Sequence, residues 1–234
     1  MQTIKGEGFT VEVVKSRRRK TMALKVTHTG VSIHIPTTLP LATAQAFILQ
    51  KTVWIQNKIQ QQKNRPLITT KRFINGEHHL YMGEEYPLSI ARDSDTQNKI
   101  DFDGKYILFL GAAYDPTPEV IRSELISWYH QQAISYLRHK TMYFSDIIGL
   151  IPRSITVKNY KARWGSCNSR ADIQFNWKII MAPTDIIDYI IVHELCHIQQ
   201  HNHSPAFWQL VKHYYPNYKT ARLWLKNNGY KLET

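Results

Sequence analysis

Residues 193–203 read HELCHIQQHNH, so four histidines, one glutamate and one cysteine fall within eleven residues. His193 and His197 are four apart. On a helix this spacing puts both rings on one face, a turn apart, within reach of a common ion. Glu194 sits beside the first histidine. It can face the same ion without binding it and take a proton from water there. A catalytic Zn2+ site needs a third protein ligand and one open position. A glutamate on a later helix is one way to supply that ligand, but the only carboxylate side chain after Glu194 is Glu233. His201, His203 and His213 remain. On a straight helix His201 would lie about 12 Å along the axis from His193. Zinc–nitrogen bonds of about 2.0–2.1 Å do not span that distance, so the chain must turn first. Asn202 is expected to end the helix in a left-handed conformation. Ser204 reads as the N-cap of the next helix and Pro205 as its first residue. His203 then falls in the corner between two helices, free to fold back. The expected ligands are His193, His197 and His203, with Glu194 as the catalytic glutamate.

The elements that must carry these residues are legible in outline. Upstream of His193, Ile186 and Ile190 continue the histidine face, Ile187, Ile191, Leu195 and Ile198 cover a neighbouring one, and Tyr189, Val192 and Cys196 fill much of the rest. A helix apolar nearly all round is central and buried. Two histidines and a glutamate on such a helix are costly unless paired or bound to metal. Cys196 lies about 80–100° around the helix from the histidines and reads as apolar filler, not a ligand. Cys167 reaches the metal only if its loop folds over it, and is not expected to.

FTVEVV and TMALKVTHTGVSIHIP alternate as strands do, and Leu41 to about Lys63 is helical. Further short strands follow, with a turn at Asp103–Gly104. Residues 1–110 therefore read as a β-rich region with one inserted helix. Residues 111–234 read as a second, more helical region. Its first helix is capped at Thr117–Pro118, a strand–loop–strand passage runs through RWGSC and IQFN, a helix starts at Thr184, and a helix pair covers about 205–227. Strands then helices, without regular alternation, give an α+β fold. IQFN is expected to be an exposed sheet edge beside the histidines, open to an extended peptide. Trp164, Gly165 and Ser166 read as core filler, turn and cap, and Arg163 as a candidate anion or oxyanion contact.

RWGSC (163–167), IQFN (173–176), DYIIVHELCH (188–197) and NHSPAFW (202–208) together resemble the YgjP-like metal-dependent hydrolases, distant relatives of the SprT-like and WLM proteases. The likeness is strongest over about 150–218. It implies a zincin-like metallopeptidase domain with an active-site helix and a small sheet, His193, His197 and His203 on the metal, and Glu194 as catalytic glutamate. The metzincin pattern fits less well: Gln200 holds its glycine position and no methionine follows Met181.

The expected activity is zinc-dependent hydrolysis of an amide bond in a protein or peptide substrate. The alternative is a metal-bound adaptor or nucleic-acid-associated protein with little hydrolysis, for which Glu194 would have no use. A net charge of +12, sharpest in KSRRRK at 15–20, favours acidic partners, nucleic acid among them. KSRRRK is expected in a hairpin loop. Two cysteines suit a reducing compartment. No signal peptide, membrane helix or membrane partner is expected, and the cytoplasm is the default.

Overall fold

The computed structural model describes residues 2–27, 29–64, 70–92, 98–111 and 116–233. It has an α+β architecture, with a sheet-rich beginning followed by helices, and it forms two compact units, Met1–Thr69 and Thr70–Thr234.

In the first unit, strands β1 (Gln2–Gly6), β2 (Phe9–Ser16), β3 (Ala23–Thr27) and β4 (Gly30–Pro36) form a sheet of order β1-β2-β4-β3. Alternation along β2 and β4 turns Val11, Val31, Ile33 and Ile35 to one face. Ala44 and Ile48 of helix α1 (Leu41–Gln50) and Ile55 of α2 (Thr52–Lys63) pack against that face. The helical stretch expected as one piece is broken at Lys51, whose backbone leaves helical geometry. KSRRRK is not in a hairpin. β2 and β4 are parallel neighbours and β3 pairs with the far side of β4, so residues 17–22 carry the chain past the end of β4.

The second unit contains two sheets. β5 (His78–Tyr81), β6 (Glu84–Arg92), β7 (Lys99–Phe102) and β8 (Ile107–Gly111) pair in the order β5-β6-β8-β7. β9 (Ser154–Lys158), β10 (Gly165–Cys167) and β11 (Asp172–Asn176) pair in the order β10-β11-β9. Tyr81, Leu88, Ile107 and Phe109 share one core with Trp128 and Tyr129. This is why the strands between 70 and 111 group with the helical part, although a boundary near 110 was expected from the sequence. The expected turn at Asp103–Gly104 is present, with Asp103 Oδ1 accepting from the Lys105 and Tyr106 amides.

Helix α3 (Pro118–Ile148) buries Ile121, Leu125, Trp128, Leu137, Thr141, Ser145 and Ile148, largely at spacings of three and four, and ends at the left-handed Gly149. A 3-10 helix over Trp177–Met181 leads into helix α4 (Thr184–Gln199), and α5 (Pro205–Tyr214) and α6 (Tyr218–Asn228) follow. The β5–β6 turn supports the start of α4. Met82 and Gly83 amides donate to the Ile180 and Met181 carbonyls, and Gly83 (φ 91°) lies so close that a β-carbon would be 2.7 Å from Pro183 Cα. α4 packs against α3, β10, α5 and α6 and is buried on most sides, as its composition requires. Among the described residues no helix is long and apolar enough to cross a membrane.

Candidate metal centre

α4 carries His193, Glu194 and His197. It stops at Gln199, and the turn is made by Gln200 in an extended conformation (φ −127°, ψ 94°). Asn202, expected to be left-handed, has no positive φ; its Oδ1 accepts from the Ser204 amide at 3.2 Å. Ser204 caps α5, its Oγ accepting from the Phe207 amide at 3.3 Å, and Pro205 opens the helix. This corner returns His203 to α4. His203 Nε2 lies 3.1 Å from His193 Nε2, and one nitrogen from each of His193, His197 and His203 falls within 4.8 Å of the others. Nitrogens bound tetrahedrally at about 2.0–2.1 Å would be about 3.3–3.4 Å apart, so the cluster is already near the spacing a zinc ion would need.

The rings are held from behind. Phe207 of α5 stacks on His197 (4.4 Å between centroids, 22°), and Trp208 stacks on His203 (5.4 Å, 18°). His197 Nδ1–H donates to the Gln200 carbonyl at 2.9 Å, which leaves Nε2 as its lone-pair nitrogen. His193 Nδ1 lies 3.3 Å from Tyr189 Oη, so the tautomer with Nε2 free is the one whose Nδ1–H donates to the tyrosine. Tyr189 is therefore at the site, where it can orient a ligand histidine. Asp188 instead pairs with Lys140 at 3.1 Å.

Burial, reinforced by His197, His203 and Arg222, pushes His193 down to about 3. Burial also lowers His197, against the pull of its Gln200 bond. Neutral imidazoles are the form a metal binds.

Glu194 is 5% exposed, and its Oε2 has no hydrogen-bond partner among the described residues. Burial pushes its carboxyl up to about 8, with Arg163 opposing the rise. An unpaired buried carboxyl beside three converging imidazoles is the donor set of a metal site with an adjacent proton acceptor. Its close neighbour is the backbone of Gly165: a β-carbon there would lie 2.5 Å from Glu194 Oε1.

Gly165 belongs to β10, an edge strand of its sheet, and β11, which contains the IQFN stretch, is central. The expected edge is thus one strand over, and RWGSC, read as core and turn, runs beside the glutamate.

The other candidates lie elsewhere. His201 and His213 are exposed and outside the cluster. Cys196 is fully buried, Cys167 Sγ donates to the Asn168 carbonyl, and neither joins the histidines. Glu233 pairs with Lys178. Three contributors went unassigned from sequence. Phe207 and Trp208 stood in the NHSPAFW segment without a stated role, and Arg222, which lines the cavity beside Glu194, carries no local signal.

An α+β chain with two histidines and a buried carboxyl on one central helix, and a third imidazole converging on them from the corner that follows, defines the class. The chain belongs to the YgjP-like family, whose metallopeptidase domain matches residues 20–228. It is similar to the UTP pyrophosphatase of Escherichia coli (strain K12), 32% identical over 69 residues, which is 28% of this chain and 41% of that protein. The match thus spans less than half of that relative's length. A solved structure, the metallopeptidase zymogen of Pyrococcus abyssi abylysin, is similar over 38% of this chain and 93% of that one, at 20% identity and a TM-score of 0.35.

Proposed function

We propose that the chain is a zinc-dependent hydrolase that cleaves amide bonds in protein or peptide substrates. The observation that carries this reading is the placement of Glu194 Oε2, buried and without a partner among the described residues, beside a histidine triad of metal-binding dimensions. His193, His197 and His203 would hold the ion. Zinc, when bound, supplies Lewis acidity that polarises a carbonyl and acidifies water. Glu194 takes a proton from water as its oxygen adds to the scissile carbonyl carbon. It returns that proton to the amide nitrogen as the C–N bond breaks. Burial raises the proton affinity of this carboxyl, which favours its holding the proton between the two steps. The edge of β10 away from β11, which no strand pairs among the described residues, offers main-chain groups with which an extended substrate can pair, next to Glu194.

Glu194→Gln keeps the shape and removes the base. Hydrolysis of unstructured protein substrates should fall by about 10²–10⁴-fold while bound zinc is retained. Equal activity in the two proteins would defeat the mechanism.

The likeness to a UTP pyrophosphatase favours a second reading, in which the same centre directs water at a phosphoanhydride. Uridine triphosphate hydrolysed far faster than any peptide, with the same dependence on Glu194, would decide for it.

The alternative of an adaptor that binds nucleic acid gains from the distribution of charge. Residues 1–69 hold 11 Lys and Arg against 2 Asp and Glu, a net +9 out of +12. Binding of DNA at low salt that weakens steeply as salt rises, and that is lost when Arg17, Arg18 and Arg19 become alanine, would support it; no binding at low salt would remove it.

A further inference from the structure

Beside the triad is a cavity of about 250 Å³, bounded by Trp164 and Gly165 on the sheet side, Tyr189, His193 and Glu194 on α4, and Arg222 on α6. Arg222 stands one turn into α6. Its guanidinium lies 4.3 Å over the ring of Trp208, the same ring that stacks on His203. On the sheet side Arg163, just before the cavity wall, lies 4.9 Å from the centre of the Tyr160 ring. Its backbone is fixed, since Asn176 Nδ2 donates to the Arg163 carbonyl at 3.1 Å.

Among the described residues neither arginine has a carboxylate at ion-pair distance, and Glu194 is the sole acidic side chain lining the cavity. Arg222 shares the cavity wall with Tyr189, His193 and Glu194, and Arg163 directly precedes Trp164 of that wall. An aromatic ring orients a guanidinium through its face and leaves the N–H fork unused. The fork of Arg222, oriented on the cavity wall beside Glu194 and without an acidic partner among the described residues, matches the planar two-oxygen face of a carboxylate or phosphate, and Arg163 offers a second such fork on the sheet side.

We propose that Arg222, on the wall of the cavity, receives an oxyanion of the substrate, a carboxylate or a phosphate, with Arg163 on the sheet side adding positive charge, and so selects substrates that carry negative charge next to the bond to be cut. The assignment rests on the hydrolytic reading above and makes Arg222 a specificity-determining residue.

Inorganic pyrophosphate is the probe for the phosphate source. Its dissociation constant is measured by calorimetry on zinc-loaded wild type, Arg222→Ala, Arg222→Lys and Arg163→Ala. For the carboxylate source, cleavage of one peptide is compared with its C-terminus free and amidated. Arg222→Ala should weaken pyrophosphate by about tenfold or more, or abolish a preference for the free C-terminus of similar size. Arg222→Lys should restore only part of it, because it keeps the charge but not the fork. A change in the first arm alone assigns phosphate, and in the second alone carboxylate. If Arg222→Ala moves neither by more than about twofold, the proposal is overturned. Zinc is counted in the same samples. A protein without zinc would count against the metal centre, whereas the pyrophosphate titration, repeated on the protein as isolated, would still read the arginines.

Discussion

Gly165 and Glu194 pack so closely that a β-carbon on the glycine would stand 2.5 Å from the glutamate's Oε1 and 2.7 Å from its Cγ. The strand therefore sets where the carboxyl can be. Gly165→Ala should push Glu194 off its position while leaving the histidines in place. A displacement of about 1 Å at a reacting group costs on the order of 100-fold in rate. Hydrolysis should drop by that order with zinc content unchanged. In a Glu194→Gln background the same change should add little, since both act on one group. Full activity in Gly165→Ala would show that the contact does not position the carboxyl.

Tyr189 and Asp188 are adjacent in sequence and part company in the fold. Tyr189 Oη meets His193 Nδ1, and Asp188 pairs with Lys140 of α3. Tyr189→Phe should loosen zinc by about 10–100-fold, the usual effect of removing a partner that orients a ligand histidine. Asp188→Asn should leave zinc affinity alone. Metal titration with a competing chelator distinguishes them, and equal affinities in Tyr189→Phe and wild type would remove the tyrosine from this role.

Ser204 has two tasks, because the residue that caps α5 also follows His203 directly. Ser204→Ala should lower stability by about 1 kcal/mol, a typical loss for an N-cap. It should also weaken zinc, because the corner that returns His203 is no longer pinned. Thermal unfolding with and without zinc separates the two effects. An unchanged melting temperature would mean that the cap contributes nothing.

The convergence of His193, His197 and His203 was largely legible, because two local rules act in series. Four-residue spacing aligns the first pair on a helix, and Ser204–Pro205 announces a new helix immediately after His203. The conformation of the corner was not legible. Asn202 was the residue type suited to a left-handed stop, yet extended Gln200 makes the turn and its carbonyl is held by His197. Strand identity in the small sheet also escaped, because IQFN and RWGSC are both strand-compatible and only pairing decides which is central. Grouping the strands of 70–111 with the helices depends on Tyr81 and Phe109 meeting Trp128 and Tyr129, a long-range packing event with no local signature. Arg222 lies 28 positions beyond Glu194 and enters the site only because α6 folds back on α4.

In the proposed metal centre the corner histidine, His203, is the third ligand. Zinc counted by mass spectrometry on purified wild type, His201→Ala and His203→Ala tests this directly. About one ion per chain should be found in wild type and in His201→Ala, and His203→Ala should lose it. Full zinc in a folded His203→Ala protein would contradict the assignment of His203 as the third ligand.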